Sequence, residues 1–434
     1  MSGGLRKGLA DWWSALPVGF VPVTAITFNM WLGSSIIAPT LPLYAERMGI
    51  NATGVGIAVG AYFLGRMSFN LVGGPMADRY GLRTVAVIGC LVSGISSAVA
   101  GLVDTYPLLV VARIVQGAGA GIYATAALGA IIALSPPERV GRLVSNYQAL
   151  GLAGFSLGPV FGGFIGAVLG LEAPFFAFAV LAFLAVGLAM GWLPSDLRPR
   201  EVARQRSEQR AAEEDRASRA GQADPAASRT ERILEALKVL FGMRAFVSAL
   251  LGTFIVFAMR GGIRNSVVPL FAEAELGMTS FGIGVMIGIA SVFNVVLMGH
   301  AGRTLDAVGR RPVFIWSIVV TGASVLVVSL VGSATTLTLV MVVLASATGY
   351  ASIAPTTIVA DSVPLDLRST AIGIQRVMTD MGHMLGPALA GLAVDRLGYR
   401  PGFVALGVGA LLFVLVLLRM PETLPRLRTQ GGAA

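Results

Sequence analysis

Four residues near the carboxyl end of the chain combine charge, proton chemistry and a helix-breaking ring at helical spacing. They follow one another at intervals of four, three and four positions, which places them on one face of a helix: Arg376, Asp380, His383 and Pro387. Asp380 lies about 17 Å from the start of its predicted helix, near the middle of a bilayer core about 30 Å thick. A carboxylate at this depth is suited to carry a proton, with His383 as a second group. The same residues also fit a structural role, in which Arg376 and Asp380 form a buried pair that only aligns helices.

Positive charge predominates in the apolar segments. Against one aspartate there are five arginines in predicted membrane segments: Arg66, Arg113, Arg260, Arg264 and Arg376. This excess favours an anionic or zwitterionic solute by simple electrostatics. The pattern leaves two other placements open: Arg260 and Arg264 near the outer end of a helix, and Arg66 in support of the neighbouring loop.

The composition identifies the environment that such charges need. Hydrophobic residues make up 55% and charged residues 13% of the 434 positions, whereas soluble domains carry about 25% charged residues. Lipid is therefore the predicted solvent. The net charge of +9 does not indicate a nucleic-acid partner, because the basic residues lie in short segments between apolar runs. We predict an all-α integral membrane protein with twelve transmembrane helices, near 18–42, 53–76, 84–103, 107–133, 142–169, 173–193, 245–271, 280–301, 312–331, 335–360, 369–393 and 399–419.

The distribution of basic residues predicts the orientation. With the amino terminus in the cytoplasm, arginines concentrate in the cytoplasmic loops and termini, whereas the opposite side holds only Arg47, Arg396 and Arg400. We expect a multi-pass protein of the inner or plasma membrane with both termini cytoplasmic. The first apolar run is long enough to span, so we interpret it as a helix and not as a cleaved signal. The segment 194–243 is rich in charges of both signs and predicts a cytoplasmic linker. At its end, residues 231–241 predict a short helix on the membrane surface.

An internal repeat divides the chain into two halves. Several motifs recur at one constant offset, which coincidence does not produce: Gly49 with Gly277, Gly54 with Gly282, Gly56 with Gly284, Gly74 with Gly302, Asp78 with Asp306, and Gly158-Pro159 with Gly386-Pro387. The pattern predicts two pseudo-symmetric six-helix bundles of the same orientation, with a solute path between them. The predicted domains are 1–193, the linker 194–243, 244–420 and a cytoplasmic tail 421–434.

Two loop segments carry a resemblance to a known family. The segment from Gly74 to Arg83, and its second copy from Gly302, resemble the signature of the major facilitator superfamily between helices 2 and 3. The resemblance implies a cytoplasmic latch that holds the halves together when the protein opens outward. The residues it assigns to the latch are Gly74, Asp78, Arg79, Arg83, Gly302, Asp306 and Arg310. The alternative is that these residues only build turns.

Two further motifs carry a resemblance: the one on helix 4 resembles a signature of the superfamily, and the one on helix 5 resembles the signature of its drug:proton antiporter group. Arg113 and Gln116 match the helix-4 signature, for which gating, proton coupling or a structural bond to a backbone carbonyl are the alternatives. The helix-5 signature, which is the main indication of export, consists of Gly154, Gly158, Pro159, Gly162 and Gly163. Small residues at this spacing also serve simple helix packing.

We therefore predict a proton-coupled secondary transporter that exports drug-like or amphipathic molecules by alternating access. Asp380 and His383 are the predicted proton-coupling residues, and the predicted solute-lining residues are Asn29, Arg113, Gln116, Gln148, Asn294, Tyr350 and Arg376. One alternative is a transporter of organic or lipid-like anions of either direction; another is a transporter-like sensor or receptor. We expect no enzymatic activity, metal or cofactor, the proton gradient as the energy source, lipids, protons and a small solute as partners, and a monomer.

Overall fold

The computed structural model describes residues 19–135, 139–193, 229–364 and 367–424, and helices account for nearly all of them. The predicted linker up to position 228, the predicted tail from position 425 and residues 1–18 lie outside the described residues. Twelve membrane spans follow one another in the described chain. They are span 1, Phe20–Ile36 continued by Leu41–Arg47; span 2, Ala52–Tyr80; span 3, Leu82–Leu102; span 4, Tyr106–Leu134; span 5, Val140–Leu169; span 6, Ala173–Trp192; span 7, Arg244–Met259, Arg260–Val267 and Val268–Ala274; span 8, Ser280–Val308; span 9, Arg310–Val328; span 10, Ala334–Ser362; span 11, Arg368–Leu397; and span 12, Tyr399–Leu417.

The predicted all-helical membrane architecture is confirmed. Eleven of the spans are long and apolar enough to cross a bilayer by their own composition. Span 11 is not among these eleven, although it has 30 residues. It carries Arg376, Asp380 and His383, which lower its hydropathy, and it packs between span 2 and span 7. Asp380 and His383 are buried and therefore face protein, as polar groups deep in a membrane must.

Span 7 is not the continuous α-helix that its apolar sequence predicts. Residues Arg260–Val267 form a π-helix between two α-helical pieces. Glycines allow this segment to lie directly on span 11, where a Cβ atom on Gly262 would come 2.5 Å from the carbonyl oxygen of Gly386. π-Helical segments are rare and frequently mark functional sites.

The repeat is visible in equivalent helix ends. Asn51 and Thr279 occupy corresponding positions, and each caps its span by accepting a hydrogen bond from the backbone N–H three residues on, at 3.0 and 3.2 Å. Gly81 and Gly309 form the one-residue turns after spans 2 and 8. Both have positive φ angles, 88° and 116°, a conformation that favours glycine. These turns fix the antiparallel packing of consecutive spans in both halves.

The two halves meet closely at one end of the bundle. We call this the far end, and the opposite end, where Trp192 and Arg244 lie, the linker end. Span 2 packs along span 11, and span 5 along span 8. A Cβ atom on Gly56 would lie 2.1 Å from the Pro387 carbonyl oxygen, and one on Gly163 would lie 2.8 Å from the Cα of Gly284. Only glycine permits such backbone contact, so these positions set the closed far end.

A carboxylate adds a polar contact at the outermost point of this closure. Asp395 of span 11 accepts hydrogen bonds from the backbone N–H groups of Ala52 and Thr53 at 3.0 and 2.8 Å, and from the Thr53 hydroxyl at 2.5 Å. It thereby satisfies the amino-terminal N–H groups of span 2, where the helix dipole favours negative charge. This contact joins the two halves at the far end.

The halves stand apart at the linker end. Of the residues that the structure describes, a Cβ atom on Gly302 or Gly373 would meet none within 4 Å, and one on Gly74 would meet only Thr125 of its own half. The Leu71 side chain, on the same stretch of span 2, is 83% exposed. Among the described residues, every hydrogen bond between the halves lies at the level of Asn70 or beyond it toward the far end. The conformation is therefore closed at the far end and open at the linker end.

A helix at the end of the linker is confirmed, and it spans Arg229–Gly242. Leu240 is completely buried, and Phe241 packs edge-on against Phe246 at 6.0 Å between ring centroids. These contacts attach the helix to the start of span 7. Its predicted position on the membrane surface stays a prediction.

We predict that Asp395→Ala loosens the far end. The reporter is Ser34→Cys, at a position that lines an internal cavity; the native Cys90 is fully buried and stays unreactive. Loss of an exposed, charge-assisted contact of about 1 kcal/mol shifts a two-state equilibrium about fivefold. A membrane-impermeant maleimide applied at the far end should therefore label the reporter about fivefold faster. The control is Asp104→Ala, an exposed acid at the same end; an equal increase in both variants, or none, contradicts the prediction.

Candidate functional site

The centre of the molecule contains an ion pair between the two halves. Asp380 of span 11 is 4% exposed, and its Oδ1 pairs with the guanidinium of Arg66 on span 2. Its Oδ2 accepts a hydrogen bond from the Asn70 amide at 3.0 Å. The pair lies at the linker-side limit of the contact between spans 2 and 11. Both oxygens of this carboxylate are therefore engaged by the opposite half.

Backbone contact between spans 2 and 4 positions the first-half side of this site. A Cβ atom on Gly65 would lie 1.9 Å from the Ile114 carbonyl oxygen, and one on Gly117 would lie 1.8 Å from that of Tyr62. This approach places the Arg113 guanidinium 5.0 Å from the centre of the Tyr62 ring. The glycines of the helix-4 signature thus bring an arginine of span 4 beside the charged residues of span 2.

His383 lies one turn farther along span 11 and is enclosed by aromatic rings. It stacks on Phe63 of span 2, with ring centroids 4.4 Å apart and planes 8° from parallel, and Phe257 of span 7 lies 5.0 Å away. Its Nδ1 lies 3.2 Å from the Thr379 carbonyl oxygen. Because a carbonyl only accepts, this nitrogen is assigned as the donor. His383 is therefore part of the packed contact between the halves and is not bonded to Asp380.

Two arginines of the π-helix complete the charged layer. Arg260 lies with its guanidinium 5.9 Å from the ring centre of Phe155. Arg264 is 3% exposed, and its Nε donates to the Asn265 side-chain oxygen at 3.3 Å. Among the described residues, neither π-helix arginine has a carboxylate within ion-pair distance.

A cavity of about 160 Å³ adjoins this layer. Its walls come mainly from spans 1, 2 and 4, with Phe155 of span 5 and Asn265 of the π-helix. Five aromatic rings and two guanidiniums characterise the lining: Trp31, Tyr62, Phe63, Tyr123, Phe155, Arg66 and Arg113. Such a surface suits a molecule with a flat apolar body and a charged or polar group.

The predicted solute-lining residues divide into several groups. Arg113 lines the cavity, and Gln116 is completely buried behind it, with its side-chain oxygen accepting from the Arg113 guanidinium. Gln148 and Arg376 are exposed in the linker-end halves of spans 5 and 11. Asn29 is half-buried on span 1 and is not part of the cavity wall.

The other two predicted lining residues lie inside the second half. Asn294 is 1% exposed and donates to the Ala345 carbonyl at 2.5 Å, which is a structural bond between spans 8 and 10. The Tyr350 hydroxyl is hydrogen-bonded to the Nδ1 of His300 at 2.7 Å. Neither side chain reaches the cavity wall.

The sequence analysis does not predict the role of three residues at the centre of the site. The sequence places Arg66 among the membrane arginines, with support of the neighbouring loop as an alternative, whereas in the structure it is the partner of Asp380, a role that the sequence offers to Arg376. Phe63, Arg66 and Asn70 share one face of span 2 at helical spacing, and this was the available signal. Spacing within span 2 does not identify the helix of the other half that this face meets.

The helix-5 glycines have two different neighbours. Three of them pack against span 1: Gly154, Gly158 and Gly162. Cβ atoms on the last two would come 1.9 Å from the Ser35 hydroxyl and 1.8 Å from the Ile36 carbonyl oxygen. Pro159 is buried as well. Gly163 instead faces span 8. The motif thus combines packing within the first half with the closed contact between halves.

The predicted latch residues do not bridge the halves in this conformation. Asp78 is exposed, Arg79 lies over the ring of Tyr80, and Arg83 donates to the Met190 carbonyl. In the second copy, Arg310 pairs with Asp306 at 2.7 Å and with Asp361 at 2.9 Å. All of these contacts lie within one half. A latch that forms only when the linker end closes stays a prediction.

The chain resembles known proteins along nearly its whole length. The sequence pattern of the Major Facilitator Superfamily matches residues 23–263 and 249–434. The chain belongs to the Major Facilitator Superfamily. Membership in this superfamily agrees with the two packed six-helix halves and accounts for the resemblance of the two loop signatures.

Relatives of this superfamily member include transporters. It is 22% identical over 396 residues to the quinolone resistance protein NorA of Staphylococcus aureus (strain MRSA252), which covers 90% of this chain and 94% of that protein. It is 23% identical over 374 residues to an uncharacterized MFS-type transporter of Methanocaldococcus jannaschii, covering 86% and 90%. The superfamily member is thus a multi-pass membrane transporter.

Solved structures confirm the fold. The nucleoside transporter NupG, as a D323A mutant, superimposes with a TM-score of 0.72 at 14% identity, covering 92% of this chain and 98% of that one. A D-xylose-proton symporter gives a TM-score of 0.70 at 19% identity, covering 94% and 99%. At these identities the likeness extends to the superfamily fold and not to the solute.

We predict a strong energetic coupling between Arg66 and Asp380. Removal of one partner of a buried ion pair leaves an uncompensated charge and costs about 3 kcal/mol. Arg66→Gln and Asp380→Asn should each lower the melting temperature of the purified protein, and the double variant should lose less than the sum of both. The control cycle is Arg400→Gln with Glu275→Gln, a pair at 3.5 Å that is about half exposed and should show almost no coupling. Additive losses at the central pair contradict the prediction.

Proposed function

We propose that this superfamily member is a proton-coupled secondary active transporter that exports amphipathic small molecules by alternating access. The observation that carries the proposal is the Arg66–Asp380 pair, because it joins the two halves beside an aromatic cavity. A titratable group at that place links proton binding to the relative position of the halves. Drug-like solutes are supported by the relative named for quinolone resistance.

Asp380 is the proposed proton carrier. When ionised, it is held by Arg66 and Asn70 of the opposite half. At an effective dielectric constant of about 20, two unit charges 4 Å apart attract by about 4 kcal/mol. Protonation of Asp380 removes this attraction, and each 1.4 kcal/mol shifts a two-state equilibrium about tenfold. The proton therefore controls how firmly spans 2 and 11 stay together.

His383 has a positioning role in this proposal. Its ring is enclosed by Phe63 and Phe257, and its Nδ1 is committed to the Thr379 carbonyl. Separation of the halves must break the stacking on Phe63. His383 thus contributes to the closed far end, whereas the carboxyl of Asp380 carries the exchangeable proton.

The solute is proposed to enter from the open linker end. The cavity of about 160 Å³ is smaller than the space that drug-sized ligands occupy, which is about 300 Å³ or more. Part of the solute therefore extends into the space between spans 5 and 11, where Gln148 and Arg376 are exposed. Its apolar body contacts the aromatic walls.

We propose that the linker end is cytoplasmic and that the protein lies in the inner or plasma membrane. The turns at this end carry Arg79, Arg83, Arg139 and Arg142, and basic residues accumulate on the cytoplasmic side. The open end then faces the compartment from which an exporter collects its solute. No cofactor, enzymatic activity or second copy of the chain is part of this proposal.

An organic-anion transporter of either direction is the second candidate. The observation that favours it is the absence of a carboxylate partner for Arg113, Arg260 and Arg264 among the described ion pairs. A sensor or receptor with a transporter-like fold requires that no solute flux occurs at all. Flux measurements with solutes of different charge distinguish these candidate functions.

The test is proton movement in liposomes that contain the purified protein and a pH-sensitive dye. With an imposed proton gradient, amphipathic drugs added to the outside should release protons in the wild type, and Asp380→Asn should reduce the initial rate at least tenfold, since the carrier of the proton is gone. Asp104→Asn, an exposed acid outside the site, should keep the wild-type rate. Proton movement that persists in Asp380→Asn contradicts the proposed carrier, and its absence with every compound contradicts proton coupling.

A further inference from the structure

Three guanidiniums surround the region between the halves, and none of them has an acidic partner among the described residues. They come from both halves: Arg113 from span 4, and Arg260 and Arg264 from the π-helix of span 7. We infer that they form a binding subsite for an anionic group, so that the solute is an amphipathic anion such as an aromatic carboxylate. This inference rests on the proposed function, which makes the cavity the solute site.

Two of the three arginines are buried, so water does not compensate their charge. Arg113 is 6% exposed and Arg264 is 3% exposed. Within the described part of the chain, the Nε of Arg113 and one terminal nitrogen of Arg264, Nη1, are buried and have no hydrogen-bond partner. Their remaining polar contacts are to neutral amides, those of Gln116 and Asn265. Donors that are both charged and unsatisfied thus remain at the site.

Such an arrangement is unstable by itself. A guanidinium does not release its proton in proteins, so it cannot become neutral to escape burial. The penalty of removing an ion from water is several kcal/mol, and a bonded counter-charge is needed to offset it. Asp380 is not available as this counter-charge, because Arg66 and Asn70 occupy its two oxygens. An anion that enters the cavity would supply what the described chain lacks.

The position of the arginines fits an amphipathic anion. Asn265, which accepts from Arg264, belongs to the cavity wall. Phe155, the ring beneath Arg260, belongs to it as well. A planar guanidinium binds a carboxylate through two parallel hydrogen bonds, while the aromatic rings of the wall receive the apolar body. Most of the π-helix is buried, including Arg264 and Ser266, so this polar stretch of span 7 faces the interior.

A cationic solute fits the same region poorly. Its counter-charge would have to be Asp380, and an approaching cation would have to displace Arg66. It would also meet the positive charge of Arg113, Arg260 and Arg264. Like-charge contacts of this kind in a medium of low dielectric constant cost several kcal/mol. The electrostatics of the described residues therefore select against lipophilic cations.

Equilibrium binding to the purified full-length protein in nanodiscs tests the inference. The probes share one ring system and differ in charge: 2-naphthoate, 2-naphthamide and 2-naphthylmethylamine. The wild type should bind the anion about tenfold more tightly than the amide and the amine most weakly, because a charge-assisted hydrogen bond contributes about 1.5 kcal/mol or more. Arg260→Gln and Arg264→Gln should each reduce the preference for naphthoate about tenfold, with little change for naphthamide.

Two controls separate a binding role from a structural one. Arg400→Gln, at an exposed arginine paired with Glu275, should keep the wild-type preference. Arg264→Lys retains the charge and should retain most of the preference, which a loss of folding would not allow. Naphthoate that binds no more tightly than naphthamide, or a preference unchanged in both glutamine variants, overturns the inference. Because binding is measured without a gradient, it can succeed or fail independently of proton-coupled transport.

Discussion

Charged groups in the middle of a membrane cannot be satisfied by water, and this constraint organises the centre of the protein. A buried charge is retained only where another protein group or a ligand compensates it. Asp380 finds Arg66 across the boundary between the halves, and this bond exists only while spans 2 and 11 lie together. The remaining guanidiniums have no such partner among the described residues. The same constraint thus explains both the Arg66–Asp380 contact, which depends on the conformation, and the group of arginines that has no counter-charge among the described residues.

Glycine makes this arrangement possible. The carboxylate and the guanidinium reach each other because Gly56 and Gly60 let span 2 lie against the backbone of span 11. Similarly, Gly65 and Gly117 bring span 4 against span 2 and place Arg113 beside Tyr62. Packing in a membrane is not driven by a hydrophobic effect between helices, so close contact of small residues is the main source of attraction. The motifs that identify the family therefore act mainly through geometry, by determining how near the charges come.

Much of the architecture follows from local patterns, whereas the site depends on contacts between distant segments. Apolar runs and the constant offset predict the helices and the two halves. They do not reveal that Arg66 meets Asp380, because nothing in span 2 indicates its neighbour in the other half. Asn294 illustrates the opposite error: a polar residue in a span needs a partner, but the sequence does not tell whether that partner is a solute or the Ala345 carbonyl. The π-helix is not predictable from the sequence, because a polar stretch beside two glycines is equally typical of a helix end.

The distribution of charges between the halves has a consequence for the direction of coupling. Within one conformation, a proton on Asp380 and an anion at the arginines would strengthen each other's binding, and such linkage is reciprocal. This linkage by itself favours movement of the proton and the anion in the same direction. Exchange requires that the two ligands prefer different conformations. Arg113 and Arg66 belong to the first half, whereas Arg260, Arg264 and Asp380 belong to the second. Separation of the halves at the far end would divide the anion site and, in the same movement, deprive Asp380 of its cation. Solute release and proton uptake would then occur in one conformation, which is the requirement for an antiporter.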